Sequence, residues 1–142
     1  MRQIKYIFVH CTATRPTGTI SALRNAWRSQ GWIHPGYHYV VLADGQVSQL
    51  LPEEYVSNGV CGYNQHAVNV AYMGGLDTDG KPSDTRTPEQ KAALRRLLTT
   101  LKEKYSEASI LGHRSIWGEA TPQKWHKMCP CFNAIEEYKN IK

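Results

Sequence analysis

The chain has 142 residues, 41% of them hydrophobic and 20% charged, which bounds it to one compact domain able to bury a core of its own. Its net charge of +5 and sequence pI of about 9.1 suit anionic partners such as nucleic acid, anionic lipid or the polyanionic bacterial wall. No apolar run approaches a membrane span, and the basic residues are scattered with no nucleic-acid motif among them, so neither a membrane span nor a nucleic-acid partner is expected.

The N-terminal MRQIKYIFVH runs straight into a strand without a basic-then-apolar leader, so synthesis in the cytosol is expected. Residues 4–9 read as a buried strand that ends on His10 beside Cys11, where a Thr/Arg/Pro loop begins. A histidine and a cysteine at that point have three readings: metal ligands, a Cys-His catalytic pair, or the end of a core strand. Residues 20–30 read as a helix. Ile20, Leu23, Ala26 and Trp27 share a face, Thr19 is its N-cap and Gly31 its stop. YHYVVLADGQVSQLL reads as a hairpin turning at Asp44-Gly45. Residues 52–66 are polar and irregular, AVNVAYMGG is a further strand closed by Gly74 and Gly75, and LDTDGKPSD is a surface turn.

RTPEQKAALRRLLTTLKEKY is the clearest helix. Thr87 caps it, Pro88 opens it, Glu89 and Gln90 suit its positive end, and Ala93, Leu94, Leu97, Leu98 and Leu101 form its apolar stripe. Lys91, Arg95, Arg96 and Lys102 fall on its solvated face. ASILGH is a short strand ending on His113. A long loop follows, then a short helix from about Asn133. Strands alternating with helices, plus one hairpin, point to a single α/β domain over residues 1–142 with a mixed central sheet flanked by helices.

Strand ends are where side chains leave a core and can converge in a cleft. His10 and His113 end strands, and Cys129 lies at the mouth of the last helix. Two imidazoles and a thiolate with an open fourth position suit a catalytic zinc site, although the wide spacing fits no short zinc pattern. The four cysteines, Cys11, Cys61, Cys129 and Cys131, suit metal binding, catalysis or burial better than a disulfide framework.

The blocks FVHCTAT, GWIHPGYHYVVLADGQV, GYN, VAYMGGLDTDGK, TPEQKAALRRLL, ILGHR and KMCPCF occur in an order that resembles the zinc N-acetylmuramoyl-L-alanine amidases of the phage-lysozyme type. That is also the fold family of the peptidoglycan recognition proteins. The resemblance spans nearly the whole chain. It implies a zinc ion in a surface groove, peptidoglycan as substrate, and cleavage of the amide between N-acetylmuramic acid and L-alanine by a monomer that acts on the wall after release. It implies zinc ligation by His10, His113 and Cys129, and catalytic assistance by Tyr37 and Lys127. A lysine ammonium there would stabilise the developing oxyanion, and a tyrosine hydroxyl would orient water or relay its proton.

Two departures stand out. RSIWGEATPQKWHKM between His113 and Cys129 is longer than in compact phage members. Some phage members also carry a histidine shortly before GYN, where this chain has Asn58, Gly59 and Val60.

Binding-only relatives lose the ligand cysteine, so the presence of Cys129 favours an enzyme over a peptidoglycan-binding module. A thiol hydrolase built on Cys11 is disfavoured because adjacent strand residues face opposite ways. Cys11 reads as a buried thiol, Cys131 as an unassigned thiol with Cys61 as a conceivable partner, and His126 as a loop contact. His34, His38 and His66 read as ordinary polar residues. Trp32, Trp117 and Trp125 read as packing residues, the last two also placed to stack on sugar rings.

Overall fold

The computed structural model describes residues 2–142. Five strands form one mixed sheet: β1 (Tyr6–Cys11), β2 (Tyr39–Val41), β3 (Val47–Gln49), β4 (Ala67–Tyr72) and β5 (Ser109–Gly112). Their order is β3-β2-β4-β1-β5. β1 runs parallel to β4 and β5, β2 runs parallel to β4, and only β2 and β3 are antiparallel. Three helices accompany the sheet: α1 (Ile20–Ser29), α2 (Pro88–Lys104) and α3 (Ala134–Glu137). Among the described residues, no helix is long and apolar enough to cross a membrane.

The period-two alternation of β1 and β4 divides the interior. Ile7, Val9, Val68, Val70 and Tyr72 join Leu94, Leu98 and Leu101 of α2 in one apolar cluster. On the opposite face, Ala71 and Val40 pack with Leu23 and Trp27 of α1, while Phe8 and Ala67 pack with Val60. Each fully buried Leu or Phe contributes on the order of 1.5–3 kcal/mol.

The helices begin where their capping residues predict. The Thr19 hydroxyl accepts from the Ala22 amide at 3.1 Å, and Gly31 takes φ +80° just beyond α1. Thr87 and Gln90 form a reciprocal capping box at α2. Gln90 does more than favour the helix start. It is buried, and its amide donates to the carbonyls of Val41 and Met73 at 3.1 and 3.0 Å, which locks α2 to the sheet.

Three expected boundaries move. β1 starts and ends two residues later than the apolar run suggests, because the parallel ladder continues to Cys11 opposite Tyr72. His10 is therefore inside a paired strand. The hairpin connection is five residues, 42–46, closed by backbone bonds between Leu42 and Gln46 and from Gly45 to Leu42. Asp44 accepts from the Gln46 amide, an Asx-type closure that displaces the tight two-residue turn. His113 begins a 3-10 turn, His113–Trp117, immediately after β5.

Candidate active site

His10, the penultimate residue of β1, is 1% exposed, and His113, directly after β5, is 8% exposed. Both sit at the C-terminal ends of parallel strands, so their rings meet 5.0 Å apart at 80°. Cys129 comes from the loop before α3, and that loop is tied to the sheet. The Arg114 amide donates to the Cys129 carbonyl at 3.0 Å. The Cys11 amide donates to Cys129 Sγ at 3.2 Å, and the Tyr72 hydroxyl to the Pro130 carbonyl at 2.7 Å. Gly112 has no Cβ, and one would lie 2.8 Å from the Pro130 ring. The absence of a side chain there lets the cysteine loop close over β5.

The ligand atoms of His10, His113 and Cys129 all lie within 4.8 Å of one another, with His10 Nδ1 3.7 Å from Cys129 Sγ. Tetrahedral zinc, with bonds of about 2.0–2.3 Å, sets its ligand atoms about 3.5 Å apart. Burial pushes His10 down to about 4, opposed by its hydrogen bond to Asn69 and reinforced by the Lys127 charge. Burial, then His10, then Lys127 push His113 down to about 3. Both imidazoles are neutral at pH 7, the form that offers a lone pair to a metal. Geometry and donor chemistry both fit zinc.

The three residues form the floor of a cavity of about 280 Å³, which Tyr37 and Lys127 also line. Half-buried Tyr37 donates its hydroxyl to the Cys11 carbonyl at 3.2 Å. Its ring lies 5.1 Å from that of His10 and packs T-shaped on Trp27 at 5.6 Å. Burial, then Cys129 and Cys11, raise its pKa well above the ordinary phenol value, which keeps the hydroxyl a proton donor. Lys127 is exposed at the cavity mouth. All five residues expected from the sequence thus face one space.

Cys11 packs on the α2 side of the sheet, away from the His10 ring as the strand alternation predicts. Its thiol is pushed up to about 12, first by its contact with Cys129, so it is a poor nucleophile. All four cysteines are free. Cys61 is exposed, while half-buried Cys131 directs Sγ at the Gly75 carbonyl.

Trp117 packs within the loop, as expected: its ring stacks on those of His113 (5.4 Å, 24°) and His126 (4.8 Å, 13°). Trp125 has the Arg114 guanidinium 4.0 Å over its ring and donates its indole N–H to the Gly118 carbonyl at 2.7 Å. Arg114 also pairs with Glu119 at 3.0 Å.

One residue at the site was missed. Asn69 of β4 is fully buried, and its Oδ1 lies 2.8 Å from His10 Nε2. The available signal was a lone amide in the apolar run AVNVAY, since a buried polar side chain requires a partner.

Residues 1–131 match the family model described as N-acetylmuramoyl-L-alanine amidase. The endolysin of Klebsiella phage KP32 is 37% identical over 123 residues, covering 85% of this chain and 82% of that protein. The endolysin of Escherichia phage T7 is 37% identical over 118 residues, covering 82% and 78%. Among solved structures, the endolysin N-acetylmuramoyl-L-alanine amidase LysCS from Clostridium intestinale superposes with a TM-score of 0.79 at 25% identity, covering 99% of this chain and 86% of that one.

Proposed function

The chain belongs to the N-acetylmuramoyl-L-alanine amidase family, and from that membership we propose that His10, His113 and Cys129 hold one zinc ion while Tyr37 and Lys127 serve the reaction. The protein is a peptidoglycan hydrolase of the endolysin type. The observation that carries the site assignment is the convergence of two neutral imidazoles and a thiol, within 4.8 Å, on the floor of the cavity that Tyr37 and Lys127 share.

Zinc, when bound, lowers the pKa of water and polarises the scissile carbonyl. The chain's own residues do the rest. The Lys127 ammonium stands at the cavity mouth, where it neutralises charge that develops on the attacked carbonyl oxygen. Tyr37, with its hydroxyl proton directed at the Cys11 carbonyl and its ring packed against His10 and Trp27, keeps an oxygen lone pair with which to accept from and orient the attacking water. Half-exposed Trp32 also lines the cavity.

A monomer made in the cytosol and acting on the wall after release completes the reading. The relatives' description as endolysins supports that place of action. Muropeptide analysis of digested sacculi, with metal content measured on the same sample, tests it. Free L-alanine N-termini without new sugar reducing ends, and about one zinc per chain, are expected. New reducing ends without free alanine amines would overturn the reading.

A further inference from the structure

His10 can donate or accept at either ring nitrogen, and a metal ligand must present the right one. A chain of hydrogen bonds beneath His10 settles which nitrogen carries the proton, beginning from a group whose role is not ambiguous. The backbone N–H of Val60 donates to Asn64 Oδ1 at 2.8 Å, so that atom is the amide oxygen and an acceptor. Asn69 Nδ2 faces the same oxygen at 3.3 Å and Ser57 Oγ at 2.7 Å. Only the NH₂ end of an amide can donate there, so the other end of Asn69, facing His10 Nε2 at 2.8 Å, is the carbonyl oxygen.

The backbone of Asn69 orders a second histidine by the same logic. Its N–H donates to His38 Nδ1 at 3.0 Å, which leaves His38 Nε2 to donate to the Tyr55 carbonyl at 2.8 Å. Ser57 Oγ, which accepts from Asn69 Nδ2, lies 3.2 Å from the same His38 Nδ1. Asn69, Ser57 and His38 are all fully buried, so their bonds are screened from water.

We propose that Asn69 is the positioning residue for His10, holding it as the Nε2–H tautomer with the Nδ1 lone pair toward Cys129, and that Gly59 is the residue that makes room for it. A Cβ at position 59 would lie 2.3 Å from both Cγ and Oδ1 of Asn69. Any side chain there would drive Asn69 off His10. The consequence for metal affinity rests on the zinc reading above. The tautomer does not.

The test begins with the metal-free wild-type protein, selectively labelled with ¹⁵N-histidine. Two-bond nitrogen–proton correlations should show His10 protonated at Nε2, and protonation at Nδ1 overturns the proposal. Zinc affinity is then measured by competition with a chromophoric chelator. Asn69→Leu keeps the volume and removes the acceptor, so affinity should fall about 10–100-fold, as for other groups that orient a ligand from behind. Asn69→Asp keeps an oxygen facing His10 and should recover most of that loss. Asn69→Leu with wild-type affinity, or Asn69→Asp as weak as Asn69→Leu, shows a merely structural role and overturns the proposal. If Asn69→Leu does not fold, the wild-type tautomer decides. A wild-type protein that takes up no zinc defeats the zinc reading and leaves the tautomer result standing.

Discussion

His10 and Cys129 stand 3.7 Å apart but are held by different kinds of structure. His10 is paired with Ala71 of β4, one residue past the last β1–β5 pair at Val9, with its ring fixed from behind by a buried amide. Cys129 belongs to residues 113–131, a segment without strands or α-helix. It is held by a few hydrogen bonds to β1, β4 and the start of the 3-10 turn, and its loop folds around Trp117 and Arg114. Register places one half of the site, and side chains stacked within a loop place the other. A sheet position resists change because shifting it moves every neighbour. A loop position can be rebuilt locally.

Acid should have the largest effect, through buried histidines of both halves. His10 and His38 are each depressed to about 4 and His113 to about 3, chiefly by burial. Unfolded, each would titrate near 6.5. The unfolded chain therefore binds more protons below pH 6.5. The stability that neutrality contributes is fully present above about 6.5 and is lost as pH falls toward 3–4. Melting temperatures of metal-free protein from pH 7.5 to 4 should fall steeply below 6.5. A flat profile would mean that these histidines are not held neutral.

Cys129→Ser attacks the loop half. A hydroxyl is a far weaker zinc ligand than a thiolate, so affinity should drop by more than the roughly 100-fold ceiling for an orienting group. The melting temperature of the metal-free protein should move little, because serine is close in size to cysteine and its oxygen can still accept from the Cys11 amide. A large loss of metal-free stability would show that the loop is as integral as the sheet.

Lys127→Ala sharpens the distinction between holding metal and doing chemistry. Turnover on purified muropeptide should fall on the order of 100-fold with zinc content unchanged. Full turnover with zinc bound would reduce the segment to a ligand carrier. The smallest effect is expected from Trp117→Leu, which removes the aromatic stack behind His113. Such stacks contribute about 0.5–1.5 kcal/mol, so zinc affinity should weaken about 2–10-fold. No change would mean that β5 alone aims His113.

The elements were legible in the sequence because capping residues and apolar spacing mark them locally. Thr19, Thr87, Pro88 and Gly31 do what their chemistry predicts. What was not legible depended on partners. The extent of β1 is set by β4, and the hairpin connection by the Asp44 carboxylate reaching the Gln46 amide. The convergence of His10, His113 and Cys129 was suggested by their places at strand ends but fits no short zinc spacing, and the ordered blocks of resemblance made it specific. The packing partners of Trp117 were hidden because nothing in a loop sequence says which rings will lie against it. Asn69 was passed over because a strand pattern records polarity and not what a polar atom will face.

The sheet order has a consequence for crowding. A sheet with an open side is a template on which another chain can add a strand. Here the two outermost strands give little to build on. β3 is three residues long and carries Ser48 and Gln49, and on the other side β5 is four residues long with α3 packed against it. The long, apolar ladders, β1 and β4, lie inside with both flanks paired. A protein arranged this way can accumulate to high concentration before it is needed without its strands recruiting one another into fibrous aggregates.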